Sequence, residues 1–189
     1  RDKAPLVIKE VNGIKVAIVA YSYGFNGIEQ SISQEDYNRY LSDLNEDKMK
    51  AEIERAEKEA DITIIMPQMG VEYQIEPTEE QKKLYHKMID WGADIIFGGH
   101  PHVVEPAETV EKDGDKKLII YSMGNFISNQ RIETMQDVEN AKWTERGVLM
   151  DVTIKKKAGK TTIETAQAHP SWVSRTPKGG YSPEGYPLY

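Results

Sequence analysis

The chain has 189 residues, no cysteine, and 31 acidic against 24 basic side chains, for a formal net charge of −7. That excludes disulfides and thiolate metal sites, and it leaves no basic footprint for nucleic acid, so no nucleic-acid partner is expected. No apolar run approaches the roughly 18 residues that span a bilayer, and the length suits one globular domain or a large piece of one.

Residues 13–21, GIKVAIVAY, form a short apolar run rich in β-branched side chains and read as a buried strand. Residues 24–44 are polar and irregular and read as a long loop. Asn45 then opens a helix with acids in its first turn, and Met49, Ile53, Ala56 and Ala60 recur at helical spacing. Residues 61–67, DITIIMP, read as a second buried strand.

The next segment, residues 77–94, reads as a second helix. Thr78 and Gln81 have capping-box spacing, Leu84, Met88 and Trp91 share a face, and Gly92 stands where a helix end favours positive φ. Residues 93–99 read as a third strand and 117–127 as a fourth, while 147–157 and 160–168 form a closing pair around Ala158-Gly159. Strands alternating with helices, then strands alone, predict an α/β protein with an α+β tendency. Its sheet would carry helices on an outer face and end in an antiparallel portion. The tail, residues 170–189, is dense in Pro, Gly and Tyr and reads as irregular, which places the domain at residues 1–169.

The chemistry concentrates at the end of the third strand, in DIIFGGHPHVVEP, residues 94–106. Loops at the carboxyl ends of strands in α/β sheets are where sites sit. Gly98 and Gly99 permit a sharp turn and close approach to a ligand, and Pro101 is expected to hold His100 extended. His100 and His102 would be presented as metal ligands for Zn, Mn or Fe, or as hydrogen-bonding groups; the residues alone leave both open.

Three blocks carry a resemblance: MGVEYQIEPTEEQ, then GADIIFGGHPHVVEPAE, then IIYSMGNFI. Together they resemble the CapA family of poly-γ-glutamate capsule biosynthesis proteins, in order from about residue 13 to 127. That family is similar in fold to calcineurin-like metallophosphoesterases, an αββα sandwich whose signature includes Gly-His-x-His, matched here by Gly99-His100-Pro101-His102. The resemblance implies that the two imidazoles reach toward two neighbouring metal sites, one each. It also implies a catalytic role for them if the protein is an enzyme. The family's Gly-Asp, Asn-x-Glu and Asn-Asn-His elements are not found in residues 1–9, so the chain is expected to correspond to the C-terminal half, with an incomplete metal site. Gln68 stands where the family has a histidine before Trp-Gly, and an amide is a poorer transition-metal ligand than imidazole.

Glu72, at the end of the second strand, is a candidate for orienting a ligand or touching substrate. Glu105, and less so Glu108, could hydrogen-bond a ligand imidazole. Asn125, in SMGNF, suits either a turn or the site. His86 reads as a surface histidine, His169 as structural, and Ser122 as a buried strand-end serine without the context of a nucleophile. Three functions are consistent with these residues. One is a component of surface-polymer assembly, with an anionic polymer and membrane-embedded synthase subunits as partners. The others are a metal-dependent phosphoesterase and a non-catalytic interaction domain. The resemblance and the lack of cysteine together predict a membrane-anchored parent facing outside the cell. The negative net charge opposes general binding of a polyanion, and Lys155, Lys156 and Lys157 would serve on a strand end chiefly to block edge pairing.

Overall fold

The computed structural model describes residues 6–130 and 132–173. Its centre is a six-stranded mixed sheet built from β1 (Val7–Val11), β2 (Ile14–Ser22), β3 (Ile62–Gln68), β4 (Ile95–Phe97), β5 (Ala107–Lys112) and β6 (Asp115–Ile120), in the order β1-β2-β3-β4-β6-β5. The four inner strands are parallel, and β1 and β5 close the edges antiparallel. The α/β class read from the sequence is the class observed. β1 and β5 were not expected. Both are short and bury no residue fully, so no apolar run marks them. Each pairs with its neighbour through a two-residue turn. Asn12-Gly13 and Asp113-Gly114 both have positive φ at the two central residues, which matches strand twist in a two-residue hairpin.

Helix α1 (Gln34–Tyr40) interrupts the segment expected to be loop; Ser33 caps it by accepting from the Asp36 N–H. Its face is too polar to show an apolar period, and no residue of it is buried. Helix α2 (Glu46–Glu59) starts at the expected Asn45 cap and buries Met49, Ile53 and Ala56. Helix α3 (Glu79–Asp90) buries Leu84, Tyr85, Met88 and Ile89. These side chains meet Ala17, Val19, Tyr21, Ile65, Ile96 and Ile119 from one face of the sheet in a single core. Fully burying a side chain of this size contributes roughly 1.5–3 kcal/mol, so this layer fixes how the sheet sits on its helices.

The expected capping box of α3 is only half formed. Thr78 Oγ1 accepts from the Gln81 N–H at 3.1 Å, but the Gln81 amide turns inward and is fully buried. It donates from Nε2 to Glu105 Oε2 at 2.8 Å and to the Tyr121 carbonyl at 3.1 Å. Gly92 ends the helix at φ +117, as expected; a Cβ there would lie 2.7 Å from the Glu57 side chain.

Strands β7 (Arg146–Lys157) and β8 (Lys160–Trp172) form a separate two-stranded sheet rather than the end of the first. One end is stitched to the segment after β6, with the Val148 N–H donating to the Met123 carbonyl at 2.9 Å. At the other end, Lys156 reaches Asp61 at 2.8 Å and the Gly13 carbonyl at 3.2 Å. β8 continues through Pro170, Ser171 and Trp172, three positions expected to be irregular. Pro170 is tolerated because it faces Val148, whose N–H already points away to Met123, so no ladder bond is lost. The rest of the tail expected to be irregular, residues 174–189, lies outside the described residues. The expected strand 117–127 ends at Ile120, because Tyr121 to Asn125 spend their backbone groups on Pro106, Gly98 and Arg146.

Candidate functional site

The parallel strands point their carboxyl ends to one rim, and the loops after β3, β4 and β6 meet there. β3 and the β4 loop are joined by a Gln68–Gly99 bridge, with the Met69 N–H donating to the Gly99 carbonyl at 3.0 Å. The β4 loop and the segment after β6 are joined through Gly98, whose carbonyl accepts from the Met123 N–H at 3.0 Å. Gly98 is required by this junction: a Cβ would lie 1.9 Å from the Tyr121 carbonyl oxygen.

His100 and His102 follow directly. Their ring centroids lie 6.3 Å apart. Pro101 does not hold His100 extended. His100 has φ +106 and His102 has φ +62, both in the region that favours glycine. The reason lies in the flanking bonds. Gly99 is tied to β3, and the Pro101 carbonyl accepts from the Tyr73 N–H at 2.8 Å, so the loop doubles back between two fixed points. Backbone held this way in a bulky residue is strained, and such strain clusters at functional sites.

Aromatic rings bracket both imidazoles. Tyr23 tilts against His100 at 4.4 Å between centroids, and Tyr73 stacks on His102 at 6.1 Å. Burial holds the His100 imidazole below its ordinary pKa, with Glu72 opposing and His102 adding to the shift. His102 Nδ1 lies 3.0 Å from Asn125 Oδ1, and its Nε2 lies 3.8 Å from Glu72 Oε1. Asn125 is buried, and its Nδ2 donates to the Thr144 carbonyl at 2.8 Å and to Gln130 Oε1 at 3.0 Å. Gln130 Nε2 in turn donates to the Tyr73 hydroxyl at 3.1 Å. Two clefts of about 470 Å³ flank the rim; Gln68 and Gly99 line one, and Glu72, Glu76 and Glu139 line the other.

Residues 1–130 match the family described as bacterial capsule synthesis protein PGA_cap. The chain belongs to this family. Among its relatives, the capsule biosynthesis protein CapA of Bacillus anthracis is 34% identical over 134 residues, which is 69% of this chain and 31% of that protein. The PGA biosynthesis protein CapA of Bacillus subtilis (strain 168) is 44% identical over 78 residues, 41% of this chain and 20% of that protein. The chain thus spans no more than a third of either relative. A solved structure, calcineurin-like phosphoesterase YfkN from Bacillus subtilis, overlays 89% of this chain and 50% of that one, with a TM-score of 0.45 and 17% identity. A likeness of that degree leaves the chemistry open.

Within this PGA_cap member, Gln68, Glu72, His100, His102 and Asn125 share one rim, while Glu105 leaves it. Glu105 is 2% exposed and faces Gln81 rather than an imidazole or solvent. Burial pushes its carboxyl up to about 7, the Gln81 amide opposing and Glu76 adding. Glu108 also misses the rim, accepting from the Tyr121 hydroxyl and pairing with His86 Nε2 at 2.9 Å. Ser122 is fully buried at the strand end, as expected, and its hydroxyl accepts from the Gly124 N–H. His169 sits opposite Leu149 in β8 and is exposed. Sequence reasoning missed Tyr23, Tyr73, Gln130 and Thr144. Tyr73 lies inside a block that carried the resemblance, so it could have been singled out. Thr144 contributes a backbone carbonyl, which no side-chain pattern announces.

The rim meets only part of what a metal needs. The two imidazole centroids lie 6.3 Å apart and Glu72 approaches only His102, so no three His, Asp or Glu side chains converge as an ion-holding group among the described residues. A catalytic zinc site takes three protein ligands and an open position, so these residues constitute a partial set.

Proposed function

We propose that this chain is part of a protein that assembles or exports a bacterial surface polymer of the poly-γ-glutamate kind. The observation that supports the reading is the family match over residues 1–130, which contains the whole strained His100–His102 loop. The protein works at the outer face of the membrane, beside membrane-embedded synthase subunits, with the anionic polymer or its precursor as ligand. No helix among the described residues is long and apolar enough to cross a membrane, so the proposed anchoring concerns the longer protein. His100 and His102 contribute to a divalent metal site for Mn, Zn or Fe that is completed by ligands other than the described residues.

The test replaces His100 and His102 by alanine in the chromosomal gene and quantifies surface polymer. Loss of polymer with normal protein abundance is the expected result. Undiminished polymer would contradict a role for the rim. A hydrolytic reading is favoured by one observation, the two imidazoles held on strained backbone. It predicts turnover of bis-(p-nitrophenyl) phosphate by the full-length protein that disappears with the same substitutions.

A further inference from the structure

The Asn125 amide has one orientation open to it. The Thr144 carbonyl can only accept, and it lies 2.8 Å from Asn125 Nδ2, so the amide nitrogen must face Thr144. Gln130 Oε1, at 3.0 Å, takes the second proton of the same nitrogen. Oδ1 is therefore left facing His102 Nδ1 at 3.0 Å, and it has no proton to give. The hydrogen bond made by one ring nitrogen determines which nitrogen of a neutral imidazole carries the proton. Here a competitor exists, because the Glu72 carboxylate lies 3.8 Å from Nε2 and would draw the proton there. The contact to Asn125 is the shorter and the more buried of the two.

We infer that Asn125, oriented by the Thr144 carbonyl, is a positioning residue that holds neutral His102 as its Nδ1–H tautomer and leaves the Nε2 lone pair facing Glu72 across the rim. Nε2 and the Glu72 carboxylate are then both electron-pair donors 3.8 Å apart, a gap that a water, a proton or a cation can bridge. Under the metal role proposed for the rim, the bridging group is a divalent metal ion reached by Nε2 of His102. Thr144 lies beyond residues 1–130, the stretch of this chain that the family match covers. The inference deepens the proposed metal role of the rim, but the tautomer itself requires no metal.

The test is the ring ¹⁵N spectrum of the metal-free 189-residue chain at about pH 8.5, where an ordinary imidazole is neutral. His102→Gln assigns the His102 signals. The expected pattern is a proton-bearing Nδ1 and a lone-pair Nε2. In Asn125→Leu the proton moves to Nε2, toward Glu72. Asn125→Asp restores an acceptor at Nδ1 but turns an oxygen instead of the amide nitrogen to the Thr144 carbonyl, so it is read only in protein shown to be folded, where the proton returns to Nδ1. Should either variant fail to fold, the wild-type spectrum alone still decides, since a proton on Nε2 overturns the inference. A wild-type His102 already protonated at Nε2, or a tautomer unmoved by Asn125→Leu, overturns the inference. A Zn²⁺ titration of the same proteins gives the consequence: Asn125→Leu weakens binding about 10-fold, as loss of a group that orients a ligand does, and Asn125→Asp does not. A wild-type chain that binds no Zn²⁺ would overturn the metal reading of the rim and leave the tautomer assignment standing.

Discussion

Gln68 and Gly98 show how single positions set what this rim can do. Gln68 has an exposed side chain and a backbone bridged to Gly99, the residue before His100. A histidine there would add a third imidazole beside the other two. Gln68→His should therefore tighten Zn²⁺ binding by about 10-fold in a calorimetric titration, because it adds a third imidazole to a set that is otherwise two imidazoles and the Glu72 carboxylate. Gly98→Ala should do the opposite to the fold. Its Cβ would meet the Tyr121 carbonyl at 1.9 Å, so the β4–β6 junction must open. A loss of about 3 kcal/mol or more in urea unfolding is expected, in the range of severe core overpacking. The composition of the rim was legible in sequence, since its histidines and Asn125 stand in distinctive blocks. The conformation of His100 was not. The restriction that proline places on its predecessor was overridden by two backbone tethers, from Gly99 to β3 and from Pro101 to Tyr73, which only tertiary structure supplies.

The helices and inner strands were legible because they bury apolar side chains at regular spacing, as α2 does with Met49, Ile53 and Ala56. Strands β1 and β5 were not, because edge strands bury little. The third hairpin turn offers a check on this turn chemistry. Ala158 has φ +51 ahead of Gly159 at φ +80, a conformation suited to asparagine, and no side chain lies in the way of the turn at Gly159. Ala158→Asn should stabilise the β7–β8 sheet by about 1 kcal/mol, read as a higher urea midpoint at unchanged slope. Helix α3 carries a different signal. Gln81 left its capping role to bind Glu105, whose carboxyl burial raises from 4.5 to about 7. The folded protein thus holds this proton more tightly than the unfolded chain does. The stabilisation is fully present below about pH 4.5 and is lost as pH rises through about 7. Glu105→Gln should remove that slope and leave the variant more stable than the parent at about pH 8, by on the order of 2–3 kcal/mol in chemical denaturation.

For the molecule as a whole, charge and shape divide the work between the two ends of the sheet. The amino ends of the parallel strands are locked by ion pairs, Asp61 with Lys156, Asp94 with Lys117, and Asp115 with Lys160. Carboxylates paired in this way serve structure, whereas the opposite rim gathers His100, His102, Glu72 and Asn125. Its sequence blocks identified the family, and the geometry adds how the donors are held. Isothermal titration of Zn²⁺ into this chain, beside His102→Ala, tests directly whether that rim is a partial metal site. The account predicts a single site with a Kd weaker than about 1 μM, lost in His102→Ala. Binding tighter than that and untouched by His102→Ala would contradict it, because another ligand set would then be holding the ion.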